Sequence, residues 1–100
     1  MTITKTLDGD TLIIAVEGWL DTMTAPELHG ELNNLDLPQN VRLDLSRTEY
    51  ISSAGLREIV GLYRSVSAKG GSLSVYGVMP AVMDVFRLTG FDKKFEIIPA

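Results

Sequence analysis

Two adjacent serines, Ser52 and Ser53, stand where a strand-like run gives way to a helical one, and Ala54, Gly55 and Leu56 follow them within DLSRTEYISSAGLREIV, residues 44–60. A hydroxyl at such a junction suits two tasks. It can cap the helix by accepting a bond from a first-turn N–H, typically worth ~1 kcal/mol. It can also carry a phosphate, because the free N–H groups and positive dipole end of a helix N-terminus tolerate a phosphoserine. Gly55 adds a second clue. Inside a first helical turn glycine costs about 1 kcal/mol relative to alanine. Its presence there implies either a close approach to the backbone or neighbouring elements that leave no room for a side chain.

Asp44 is a further candidate, since open α/β sheets place function at the carboxyl ends of their strands. A phosphoacceptor aspartate of the response-regulator type would occupy such a position. That chemistry also needs an acidic pair after the first strand and a lysine after a later one, and the chain has neither. The simpler expectation for Asp44 is a carboxylate accepting backbone N–H bonds from the following loop. The single histidine, His29, falls on the expected exposed side of the first helix, with no cysteine or carboxylate pair at ligand spacing. Neither a metal site nor a Ser-His-Asp triad is expected. Neither a P-loop nor a dinucleotide-binding glycine pattern occurs. These residues predict no catalysis and no cofactor.

The elements that must position the serines follow from the periodicity. Ile3 and Leu7 lie on one side of an alternating edge strand, and Gly9-Asp10 signals a hairpin. Leu12–Val16 is apolar without alternation, which predicts a strand covered on both faces. Thr24 and Glu27 have capping-box spacing before a helix with Ala25, Leu28, Leu32 and Leu35 on one face. Val41, Leu43 and Leu45 alternate with Arg42 and Asp44 as a strand. Leu56, Ile59, Val60, Tyr63 and Val66 mark the next helix, closed by Lys69-Gly70-Gly71. SLSVYGV reads as a strand, and MPAVMDVFRLTG as a helix with Val82, Val85 and Phe86 inward. KFEIIPA is a final strand, with Phe91 and Phe95 expected to pin it to the preceding helix. Trp19 is expected to be a partly buried aromatic at a strand end, with part of a partner surface as the alternative, and Met79 and Met83 to pack at the core or its rim. The order β-β-α-β-α-β-α-β predicts a single α/β domain over residues 1–100, with a mixed, mostly parallel sheet and an antiparallel N-terminal edge strand.

Composition sets the outer limits. The 100 residues are 45% hydrophobic and 22% charged, the balance of a folded domain. The net charge of −4 and the scattered Lys and Arg residues argue against nucleic acid as a partner. No cysteine is present, which fits a reducing compartment. No signal-peptide pattern opens the chain, and no apolar run approaches the roughly 20 residues of a membrane span. A cytoplasmic protein, monomeric or weakly dimeric, is expected.

LDLSRTEYISSAGLREIV resembles the signature of STAS domains of the bacterial anti-sigma-factor antagonist type: a strand, D-x-S, and then D-S-S/T-G-L opening a helix. VEGWLDTMTAPEL is similar to the same family's earlier G-x-L-D and A-P-E-L segments, and the element order agrees along the whole chain. The resemblance implies partner switching. An unphosphorylated antagonist binds an anti-sigma factor that is also a serine kinase, phosphorylation of the antagonist abolishes binding, and a PP2C-type phosphatase restores it. Counted back from Gly55, the family's phosphoserine falls on Ser53. Ser52 replaces the usual aspartate and offers a second hydroxyl, and Ala54 replaces the second serine or threonine. The resemblance further implies a partner-binding rim of Asp21, Asp44, Ser46, Ser52, Ala54, Gly55 and Leu56, with the phosphate near Asp21 and Asp44. The alternative is a STAS module without a switch, serving as a scaffold or as part of a transport system.

Overall fold

The computed structural model describes residues 1–33, 35–94 and 96–100. Strand β1 (Thr2–Asp8) turns at Gly9-Asp10 into β2 (Thr11–Leu20), with Asp8 opposite Thr11. Helix α1 (Ala25–Asn33), strand β3 (Asn40–Ile51), helix α2 (Ser53–Ala68), strand β4 (Ser72–Val78), helix α3 (Pro80–Thr89), a 3-10 turn (Phe91–Lys93) and strand β5 (Glu96–Pro99) complete the chain. The expected order and mixed sheet are observed: β1 is antiparallel to β2, and β2 through β5 run parallel. Among the described residues no helix is long and apolar enough to cross a membrane. Phe95 lies outside the described residues, while Phe91 is half-buried against the core.

The strands lie side by side in the order β1-β2-β3-β4-β5. That order corrects one expectation. Each parallel crossover steps in the same direction, and right-handed crossovers that step the same way put all their helices on one face. The sheet is therefore covered once, and β2 is not enclosed on both sides. Leu12, Ile14 and Val16 are buried, whereas Ile13 and Ala15 are only half-buried. Cross-strand registers extend this division over the sheet. Ile14, Leu43 and Val75 form a rung facing the helices, and Leu12, Val41 and Leu73 form the next. Ala15, Asp44 and Tyr76 form a rung on the open face, beside Ile13, Arg42 and Ser74.

The helices close on the inner face as their apolar stripes require. Leu28 of α1, Leu56, Ile59, Leu62 and Val66 of α2, and Val82, Met83 and Phe86 of α3 are buried in one cluster with the strand residues. Tyr63 and Val85 pack half-buried against it. Helix α3 ends at Gly90 in the left-handed region, where its sequence stop signal fell.

Strand β3 is longer than its five-residue alternating segment suggested. It runs 12 residues to Ile51, and its register against β2 slips between Ala15 and Glu17 and again between Gly18 and Trp19. Each slip inserts one extra residue into β3, so burial in its second half recurs every third residue, at Leu45, Thr48 and Ile51. Bulges interrupt ladder bonds. At the first one, the fully buried Thr48 hydroxyl donates to the Val16 carbonyl at 2.6 Å, supplying a partner within the interrupted register.

Candidate functional site

The two serines stand differently at the helix start. Ser52 has extended backbone (φ −96°, ψ 174°) and is the N-cap of α2, with its Oγ accepting from Gly55 N at 3.3 Å. Its backbone is also held, because Ser52 N donates to the Leu20 carbonyl at 2.9 Å and Ser52 O accepts from Leu56 N at 2.9 Å. The end of β2 and the start of α2 are thereby joined. Ser53 is the first helical residue, and its side chain is exposed. The exposed hydroxyl thus stands at the positive end of a 16-residue helix.

Gly55 is buried, and its surroundings settle which of its two expected reasons applies. A Cβ built there would lie 2.6 Å from the Leu20 carbonyl oxygen, 2.7 Å from Leu20 Cγ and 3.1 Å from Ile51 Cγ1. The close approach comes from the protein's own strand β2, so the glycine lets α2 start directly against the sheet. Leu56 is likewise buried, at 4% exposure. Both belong to the packing beneath the serines and present nothing to a rim, whereas Ala54 is half-buried beside Ser53.

Asp21 follows Leu20 directly and organises the turn into α1. Its Oδ1 accepts from Met23 N at 2.9 Å and Thr24 N at 3.1 Å, and its carbonyl accepts from Ala25 N at 2.8 Å. The expected capping box at Thr24 does not form. The Thr24 hydroxyl turns back to donate to the Trp19 carbonyl at 2.7 Å and accepts from Asp21 N at 2.9 Å. A short polar side chain in a tight turn has nearer partners than the helix N–H groups it was matched to by spacing.

Asp44 and Ser46 are not part of this cluster. Asp44 lies on the open sheet face in the rung with Ala15 and Tyr76. Strand β3 continues from there to Ile51, which at about 3.3 Å per residue puts Asp44 roughly 20 Å from the serines. A phosphate on Ser53 would therefore stand near Asp21 and not near Asp44. Asp44 Oδ1 accepts from Ser46 N at 2.9 Å, the local role expected of it as a plain carboxylate. Burial, and then the charge and hydrogen bond of Asp44, raise the Tyr76 phenol above its ordinary pKa, while Arg42 stacks 5.3 Å from the Tyr76 ring centre. Asp44, Ser46, Glu17 and Arg47 line a separate open cavity of about 290 Å³.

Two side chains stand differently from their sequence reading. Trp19 is 57% exposed and packs on Tyr50, with ring centres 5.2 Å apart, so it is not a partly buried strand-end aromatic. No sequence signal identified Tyr50 as its partner, because the second bulge in β3 sets that pairing. His29 is exposed as expected but does have a carboxylate neighbour, Glu58 of α2, at 2.8 Å. Among the described residues, no three His, Cys, Asp or Glu side chains are placed to hold a metal ion.

Comparison with known proteins agrees with this architecture. The family described as "Mlab, STAS domain" matches residues 3–99. The anti-sigma-B factor antagonist of Listeria monocytogenes is 30% identical over 95 residues, covering 93% of this chain and 83% of the relative. The crystal structure of an anti-sigma factor antagonist from Mycobacterium paratuberculosis superposes with a TM-score of 0.89 at 29% identity, over 99% of this chain and 86% of that one. The phosphorylated form of SpoIIAA, a Bacillus cell fate determinant, shares the fold with a TM-score of 0.77 at 16% identity, over 99% of this chain and 91% of that one. With the helix start, the strand order and both sequence segments in agreement, the chain belongs to the STAS domain family.

Proposed function

We propose that this protein is an anti-sigma-factor antagonist whose unphosphorylated form binds an anti-sigma factor with serine-kinase activity, and that phosphorylation of Ser53 abolishes that binding. The observation that carries the reading is the exposed Ser53 hydroxyl at the first position of α2, next to an N-cap that is already filled. Ser52 stands where the family has an aspartate. Serine and aspartate are near-equivalent N-caps, so the replacement keeps the cap, and Ser52 Oγ is engaged while Ser53 Oγ faces solvent. The relatives named as anti-sigma factor antagonists support the same role. A PP2C-type phosphatase would restore the binding form.

The physics of the switch is local. A phosphate adds about −1.5 to −2 charges at pH 7. On the first turn of α2 it meets the helix dipole favourably and disturbs no packing, because Ser53 is exposed. In a closed interface the same charge is desolvated and unpaired, so the complex dissociates while the fold stays intact. The alternative, a STAS scaffold or transport-associated module without a switch, would leave Ser53 unmodified.

The test is sigma-factor release. The purified unphosphorylated chain is titrated into a preformed complex of the anti-sigma factor and sigma factor encoded beside it. Stoichiometric release of the sigma factor is expected. A complex that survives a large excess of the chain would contradict the reading.

A further inference from the structure

We infer that Trp19 and Tyr50 are the apolar anchor by which this chain docks on its anti-sigma partner, and that the partner offers them an apolar recess rimmed by lysine or arginine; the inference rests on the role proposed above. Residues Leu20 and Ile51 form the next rung and point to the helices, so Trp19 and Tyr50 point to the open face. Strand β3 pairs with β4 only as far as Asp44, so this rung lies on a β2–β3 ribbon extending beyond the shared sheet. The ribbon is shaped at this point: the register slips between Gly18 and Trp19, and Gly18 has φ +106°. Bulges at strand ends re-aim side chains, and here they leave two large aromatics side by side in solvent.

The surroundings indicate what would cover them. Met23 is 86% exposed in the turn that bonds back to the Trp19 carbonyl, and Met79 is 40% exposed beside Gly18 and Glu49. Glu17 and Glu49 line a groove with Met79, two positions before Trp19 and one before Tyr50 in the chain, Asp21 follows two positions after Trp19, and Arg47 is drawn to Glu17 at 3.9 Å. An apolar centre with an acidic border complements a partner with an apolar recess and a basic rim, whose cations can also stack on the ring faces. The pair and the proposed switch lie at the same end of β2 and β3: Tyr50 is three residues before Ser53, and Ser52 N is bonded to the Leu20 carbonyl one residue from Trp19. A partner that covers Ser53 and wraps around that end of the sheet reaches the pair, and buried Trp and Tyr are the residue types that dominate such interfaces.

Trp19 is the single tryptophan of the chain, which makes a direct test available. Labelled with 5-fluorotryptophan, the full chain gives one fluorine resonance, to be followed during titration with the anti-sigma factor. The resonance is expected to shift on binding, and Trp19→Ala and Tyr50→Ala are each expected to weaken affinity by about tenfold or more. Binding with an unmoved resonance, or folded variants of both kinds that bind within about threefold of the parent, would overturn the inference while leaving the proposed role standing. A resonance that moves with the chain's own concentration, without partner, would assign the pair to self-association and overturn it as well. If the unsubstituted chain does not bind at all, the proposed role falls and this inference falls with it. Should Trp19→Ala fail to fold, the resonance of the parent chain still decides.

Discussion

Ser53→Asp is expected to weaken binding to the anti-sigma factor by about 30-fold or more, while Ser53→Ala binds within about threefold of the parent chain. The asymmetry follows from what each substitution does to an interface over the α2 start. Alanine removes one exposed hydroxyl that makes no bond within the site described above, so little is lost. Aspartate introduces a charge that the complex must desolvate. An unpaired charge in an interface costs about 2–5 kcal/mol, and each 1.4 kcal/mol is tenfold in affinity. Folding should be unaffected, since the introduced carboxylate sits at the first position of α2 and meets the positive dipole end. It also lies four residues before the exposed Arg57, the favourable order for a helical ion pair worth about 0.2–0.5 kcal/mol. Calorimetric titration of the three proteins, with thermal unfolding as the control, reads both quantities. Equal affinities for Ala and Asp variants would remove the charge mechanism.

Gly55→Ala is expected to destabilise the fold by about 2 kcal/mol, against its helix propensity. Propensity alone would favour alanine by about 1 kcal/mol. The new methyl, however, would stand 2.6 Å from the Leu20 carbonyl oxygen, which also accepts the Ser52 N–H. A backbone atom fixed by a hydrogen bond cannot swing aside as a side chain would, so α2 must move off the sheet; overpacking of this kind costs about 1–3 kcal/mol, and a clash with fixed backbone falls at the top of that range, which leaves about 2 kcal/mol after the propensity gain. For a domain of this size a loss of 1 kcal/mol lowers Tm by about 4–8 °C, so a fall of about 8–16 °C is expected in thermal unfolding. Gly61→Ala is the matching control. Gly61 is also in α2, but its added Cβ meets nothing within 4 Å, so propensity should prevail and the variant should be more stable by up to about 1 kcal/mol. A Gly55→Ala protein as stable as the Gly61→Ala protein would show that the contact with Leu20 does not constrain the helix start.

Much of the fold was legible because its signals are local. The hairpin at Gly9-Asp10, strand β4 and the stop at Gly90 all fell where turn chemistry placed them. The serine pair was legible for the same reason: a cap and a first helical position are defined within five residues. What was not legible depends on neighbours in space. The apolar run of β2 suggested two covers, but strand order, which no local pattern encodes, put every helix on one face. The bulges in β3 left no sequence mark, and they decide both the burial of Thr48 and the meeting of Trp19 with Tyr50. Asp44 looked close to the serines because the strand was expected to end beside it, whereas β3 runs on to Ile51. Gly55 was noticed as an anomaly, but its cause, the Leu20 carbonyl, lies 35 positions earlier in the chain.

The most direct test of the central claim is site-resolved phosphorylation. The full chain is incubated with the neighbouring anti-sigma kinase and ATP, its intact mass is measured, and the modified peptide is sequenced. A single added phosphate on Ser53, absent from the Ser53→Ala variant and retained in the Ser52→Ala variant, is the result predicted. An unmodified chain in the presence of a demonstrably active kinase, or a phosphate carried by Ser52 instead, would contradict the account.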